Sequence, residues 1–197
     1  MSINLSKGQK ILLDKEAGRP LTKVIMGLGW DAVKSQKKSG FFSRFLADGA
    51  DIDLDASCVV FNGAKQAIDT VWFQQLRSQD DSIVHTGDNL TGAGSGDDEQ
   101  IIVDLSRVSS QVTTLVFVVN SFRGQTFERV QNAFCRLVDQ LTEQEIAKFN
   151  LSCQGNHTGQ IMAKLCREAG GWQFHAIGKN THGRTFQDLL PAIQAEL

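Results

Sequence analysis

At 197 residues, with 41% hydrophobic content and 22 acidic against 20 basic side chains, the chain has the make-up of one domain with a full core, expected to span 1–197. Its formal net charge of −2 argues against general nucleic-acid binding through electrostatics. No apolar run approaches about twenty residues and no charged stretch leads into a short apolar one, so neither a membrane span nor an export signal is expected, and the expected compartment is the cytosol.

Short apolar runs with turn signals between them occur at 10–13, 23–29, 58–61, 67–73, 101–105, 115–120, 134–138 and 172–177. Many short strands and few long helical patterns predict a mainly β fold, a β-sandwich of two sheets with a few short peripheral helices. Asn62-Gly63 between two runs is a hairpin signal, because both residues tolerate the positive φ of a type I′ turn. The run 115–119 is apolar on both faces and suits a central strand. Two segments read as helices: 159–169, with Ile161, Met162, Leu165 and Cys166 on one stripe, and the stretch from Thr185, with Phe186, Leu189, Leu190 and Ile193 on another. Pro191 is tolerable in the second only if that helix kinks or begins late.

Residues 31–50 form a basic aromatic insert in which Lys34, Lys37, Lys38 and Arg44 are interleaved with Phe41, Phe42, Phe45 and Leu46. Two readings are open: an interfacial anchor or partner-binding segment at 34–46, giving peripheral association with the inner face of the membrane, and a loop that tucks its aromatics onto the sandwich.

The chemistry concentrates in two acidic motifs, Asp51-Ile-Asp-Leu-Asp-Ala-Ser57 and Gly87-Asp-Asn-Leu-Thr-Gly-Ala-Gly-Ser-Gly-Asp-Asp-Glu99. In an extended strand Asp51, Asp53 and Asp55 share one face while Ile52 and Leu54 face the core. Unit charges about 7 Å apart repel by about 2 kcal/mol at an effective dielectric of about 20. A hard cation removes that penalty. Asp51, Asp53, Asp55, Asp88, Asn89, Asp97, Asp98 and Glu99 are the candidate ligands, and calcium suits them because it accepts six to eight oxygens in flexible geometry, with magnesium second. An EF-hand is excluded, since Ala56 stands where Gly is needed and Asn62 where Glu is needed. A phosphate cradle is disfavoured, because Asp97 replaces the last required Gly and the neighbouring acids repel phosphate. The alternative is a solvated acidic hairpin tip.

These motifs, with Gly27-Leu-Gly-Trp-Asp31 and Asn132-Ala-Phe-Cys-Arg136, resemble the tellurium-resistance TerD family over nearly the whole chain. Ser121-Phe-Arg-Gly-Gln125 and Cys135-Arg-Leu-Val-Asp139 make the chain most similar to the TerZ branch. The resemblance implies a calcium-binding β-sandwich whose acidic motifs hold the ions, and a role in bacterial stress resistance toward tellurite, phage and pore-forming colicins. Expected partners are other stress-response or tellurium-resistance proteins. The family pattern usually has acids between the loop glycines where this chain has Ala93 and Ser95, which removes two candidate carboxylates.

Cysteines 58, 135, 153 and 166 lack Cys-x-x-Cys spacing, and Cys58 and Cys135 lie in apolar strand-like runs as buried thiols. His85, His157, His175 and His182 show neither zinc-ligand spacing nor a nucleophile elbow. The expectation is therefore a calcium-dependent binding or scaffold module rather than an enzyme, the alternative being a metal-assisted hydrolase using the same carboxylates.

Overall fold

The computed structural model describes residues 2–32, 53–87, 96–151 and 154–197. Its strands form two six-stranded sheets. The first runs in the order β1 (Ile3–Leu5), β10 (Glu145–Asn150), β9 (Val130–Asp139), β3 (Lys23–Ala32), β7 (Glu99–Asp104) and β6 (Ile83–His85). The second runs β2 (Lys10–Leu12), β12 (Gly171–Thr181), β11 (Gly159–Glu168), β8 (Val112–Ser121), β4 (Leu54–Asn62) and β5 (Ala67–Val71). Every pairing is antiparallel except β1 with β10.

The sheets pack face to face as a sandwich. Val24, Met26, Leu28 and Trp30 of β3 meet Leu54, Ala56, Cys58 and Val60 of β4 in the main core. A second cluster lies on the outer side of the second sheet, where Val59, Phe61, Val116, Val118 and Ile161 pack beneath Leu189 and Ile193 of α2 (Phe186–Gln194). Strand β8 is accordingly covered on both faces, as its unbroken apolar run predicts.

Helix α2 carries Pro191 inside it. Its start is fixed by Asp188, whose carboxylate accepts from the backbone N–H groups of Arg184 and Thr185. A five-residue helix α1 (Leu13–Ala17) ends on Gly18 in the left-handed region, φ 68°.

Three expectations need correction. Residues 159–169 form strand β11 rather than a helix. Its register shifts between Ile161 and Ala163, so Ile161 joins the cluster under α2 while Met162 and Ala163 both enter the main core. That bulge breaks the two-residue alternation and leaves an apolar spacing that imitates a helical stripe. The hairpin at Asn62 is present but uses a longer loop, in which Lys65 rather than Gly63 takes positive φ (59°) and the Lys65 amide donates to the Asn62 carbonyl. Strands β1, β6 and β10 were not expected, since two have three residues and β10 carries Glu145 and Lys148 among its apolar positions. The basic aromatic insert, segment 34–46 included, lies outside the described residues from position 33 onward.

Candidate cation site

The site is built on the outer face of the first sheet, where β3 presents glycine at two successive outward positions. A Cβ on Gly27 would lie 2.2–2.4 Å from the Asp97 carboxyl group, and one on Gly29 would lie 2.5 Å from the Phe134 ring and 2.7 Å from the Gly96 carbonyl oxygen. Bare backbone therefore lets residues 96–98 lie directly on the strand. The Asp98 amide donates to the Leu28 carbonyl at 2.7 Å, and the Trp30 amide donates to Asp98 Oδ2 at 2.8 Å, which ties the segment at two points.

The three consecutive acids point to three different places. Asp97 is held by Arg136 of β9, with Nε 2.7 Å from Oδ1 and Nη2 3.1 Å from Oδ2, while Gln100 Nε2 donates to Oδ2 at 2.9 Å. This carboxylate is neutralised by protein.

Asp98 lines a pocket of about 690 Å³ together with Trp30, Asp31, Gly96, Asn132, Phe134, Lys148 and Asn150. Asn132 sits at φ 52°, where the β3–β9 register shifts between Gly29 and Asp31, and its Nδ2 donates to Asp31 Oδ2 at 2.8 Å. Asn tolerates this left-handed conformation, and the bulge aims its amide at the acid. Burial pushes the Asp98 carboxyl above the usual carboxylate range, the Trp30 amide opposes that, and the nearby charges of Asp31 and Asp97 raise it further. Lys148 does not answer this charge directly, since its Nζ stands over the Phe134 ring, 4.1 Å from the centroid.

Glu99 turns inward and joins the sheets. Its Oε2 accepts from the Ala56 amide of β4 at 2.6 Å and lies 3.4 Å from Nε2 of buried His85. The two acidic motifs thus meet through Glu99 and the residue that follows Asp55. Leu54 faces the core as expected, and Asp53 and Asp55 are also buried, each 5% exposed. Arg123 Nε lies 3.1 Å from Asp53 Oδ2. Asp55 is paired across β4 and β8 with Asn120, whose Nδ2 donates to the Arg184 carbonyl while its Oδ1 is buried without a hydrogen-bond donor. Directly opposed residues on antiparallel strands put their side chains on one face, so this orphaned amide oxygen accompanies the Asp55 carboxylate.

Of the eight sequence candidates, Asp53, Asp55, Asp97, Asp98 and Glu99 are placed, while Asp51, Asp88 and Asn89 lie outside the described residues. Among the described residues no group of three or more His, Cys, Asp or Glu side chains closes into a metal-holding cluster. The donors that are placed suit a hard cation in kind: carboxylates of Asp31 and Asp98 at one pocket, and the Asp55 carboxylate beside the Asn120 amide oxygen at the other group.

The TerD domain profile matches residues 1–191. The chain belongs to the TerD family. It is 47% identical to the tellurium resistance protein TerZ of Serratia marcescens over 187 residues, covering 95% of this chain and 94% of that protein. It is 42% identical to the stress response protein SCP2 of Bacillus subtilis, covering 96% of this chain and 98% of that protein. A crystal structure of a homologue of the telluride resistance protein TerD from Streptomyces coelicolor has a TM-score of 0.69 at 19% identity, covers 88% of this chain and 98% of that one, and supports the fold alone.

The residues that resemble the TerD family now have physical roles. Gly27 and Gly29 clear the floor, Asp31 lines the pocket, Asn132 makes the bulge, and Arg136 pairs with Asp97. Sequence reasoning about acids alone missed Asp31, Asn132, Asn150 and Asn120 as candidate site residues. Asp31 and Asn132 stand inside the motifs 27–31 and 132–136, whereas Asn120 ends the apolar run 115–120 and Asn150 ends β10, which carried no strand signal.

Cys58 and Cys135 of this TerD-family chain are fully buried thiols in the main core. Burial drives the Cys58 thiol far above its ordinary value and pushes Cys135 up to about 12. Cys135 faces the core while its neighbour Arg136 reaches Asp97 on the outer side, the opposed orientation that strand alternation predicts.

Proposed function

We propose that the protein is a calcium-binding stress-response module that acts as a binding or scaffold component, not as an enzyme, in resistance to tellurite, phage and colicins. Family membership, with tellurium-resistance and stress-response relatives, supports the biological setting. The observation that carries the calcium reading is Asp98: a carboxyl raised by burial and by two neighbouring carboxylates, in a pocket that Asp31, Asn132 and Asn150 also line and whose lysine stands over an aromatic ring. A cation there would be held by Asp98 and Asp31, and a second by Asp55 with Asn120. Calcium would supply positive charge between the carboxylates of Asp98 and Asp31. Arg136 and Arg123 play a different part, holding Asp97 and Asp53 in place from the rim.

No described helix is long and apolar enough to cross a membrane. We place the protein in the cytoplasm, working with other tellurium-resistance or stress-response proteins. Calorimetric titration with calcium tests the reading: saturable heat from which Asp98→Asn removes one site is expected, and no heat in the wild type would overturn it.

A further inference from the structure

A separate charged feature surrounds the C-terminal end of α2, on the outer face of the second sheet. Lys10 of β2 pairs directly with His175 of β12, and His175 pairs directly with Lys164 of β11. Directly opposed side chains on neighbouring strands share a face, so two lysines flank one buried histidine along a single rung. Lys7 and Lys179 join this rung around a pocket of about 460 Å³. Such a volume lies in the range of small-ligand sites.

Four lysines here face one carboxylate, that of Glu196. Lys179 Nζ lies 2.7 Å from Glu196 Oε1, and Lys164 Nζ donates to the Glu196 backbone carbonyl. Among the described residues Lys7 and Lys10 have no acidic partner within ion-pair distance. His175 Nε2 is 2.6 Å from Gln173 Oε1, which fixes the ring in the rung. Like charges opposed across strands are unfavourable, and the chain's own glutamate offsets only part of them.

We propose that this pocket binds a small polyvalent oxyanion of the phosphate class, with the Glu196 side chain as the internal stand-in that the ligand displaces. Lysines act as point-charge donors to phosphate oxygens, and several of them converging call for a ligand bearing more than one negative charge. Lys7, Lys10 and Lys179 would meet the anion, while neutral His175 forms the floor. Burial and the charges of Lys10 and Lys164 push His175 down to about 4, and an anion between those lysines favours the imidazolium.

Titration of the intact chain with pyrophosphate at low ionic strength tests this, followed by calorimetry and by the His175 ring signals in NMR. Saturable binding with one site per chain is expected, weakened about five- to tenfold by Lys10→Ala or Lys7→Ala, tightened by Glu196→Gln, and unchanged by Lys15→Ala on α1. Bound pyrophosphate should move the His175 titration upward. Lys7 and Lys10 are exposed, so their variants keep the fold intact. Vesicles containing phosphatidic acid, whose phosphomonoester can carry two charges, distinguish a lipid phosphate from a soluble one: binding that pyrophosphate competes away assigns a headgroup, and pyrophosphate binding without vesicle binding assigns a free ligand. Absence of saturable binding, or binding insensitive to Lys7→Ala and Lys10→Ala, overturns the proposal.

Discussion

Arg136 grips Asp97 with two guanidinium nitrogens directly over the bare backbone of Gly27, so the segment that enters the candidate site is clamped by charge from above and by the lack of a side chain below. The Asp97 side chain is only 1% exposed against 31% for Arg136. Arg136→Ala should therefore leave a buried carboxylate without its partner and cost about 2–4 kcal/mol after allowance for the partly exposed arginine. Denaturant melts of Arg136→Ala, Asp97→Asn and the double variant check this. The double variant should lose less than the sum of the singles.

Gly27→Ala should act on the same clamp from the other side. Its methyl group would collide with the Asp97 carboxyl group at 2.2–2.4 Å, forcing residues 96–98 off the strand at a cost of about 1–3 kcal/mol. Gly18→Ala offers a contrast with no steric neighbour within 4 Å and only the backbone strain of φ 68°. Thermal melts should show the Gly27 variant losing its calcium response as well as stability, while the Gly18 variant keeps the response.

Glu99 should behave as a structural bridge. Glu99→Ala removes the acceptor for the Ala56 amide at the junction of the two sheets and is expected to cost about 2–3 kcal/mol, with Glu99→Gln costing less because an amide oxygen still accepts. Chemical unfolding of the pair measures the difference.

The buried thiols predict slow chemistry. Cys58 and Cys135, held protonated in the core, should resist alkylation in the native protein and react only as fast as the fold opens. Peptide mapping after timed alkylation tests this, and rapid labelling of either cysteine would contradict the described core.

Strands that alternate cleanly or are apolar on both faces were readable from the sequence: β8 declares itself through 115–119, and Cys58 and Cys135 read as buried from their runs. Strand β11 was not, because the extra residue at Met162 destroys the period on which the reading depends. At the site, acidic composition pointed to Asp53, Asp55, Asp97, Asp98 and Glu99, but not to their separate fates. Asp97 pairs with an arginine 39 positions away, and Glu99 reaches an amide 43 positions away. Local spacing holds no information about such partners, which depend on the order in which strands enter the sheets.

Asp98 carries the central claim, and its sign is testable. Its folded carboxyl titrates above the ordinary value of 3.8, so the folded state keeps a proton that the unfolded state has released. Stability should therefore fall as pH rises from about 3.8 through the raised value, and the ionised, repelling carboxylate should remain a burden at neutral pH until a cation offsets it. The decisive measurement is the melting temperature at neutral pH of wild type and Asp98→Asn, each in chelator and in calcium. Asp98→Asn should melt higher than wild type in chelator and gain less from calcium than wild type, whose Asp98 site alone adds about 2.7 kcal/mol at a hundredfold excess over Kd. A wild-type melt unmoved by calcium, or an Asp98→Asn variant that gains as much as wild type, would contradict the account.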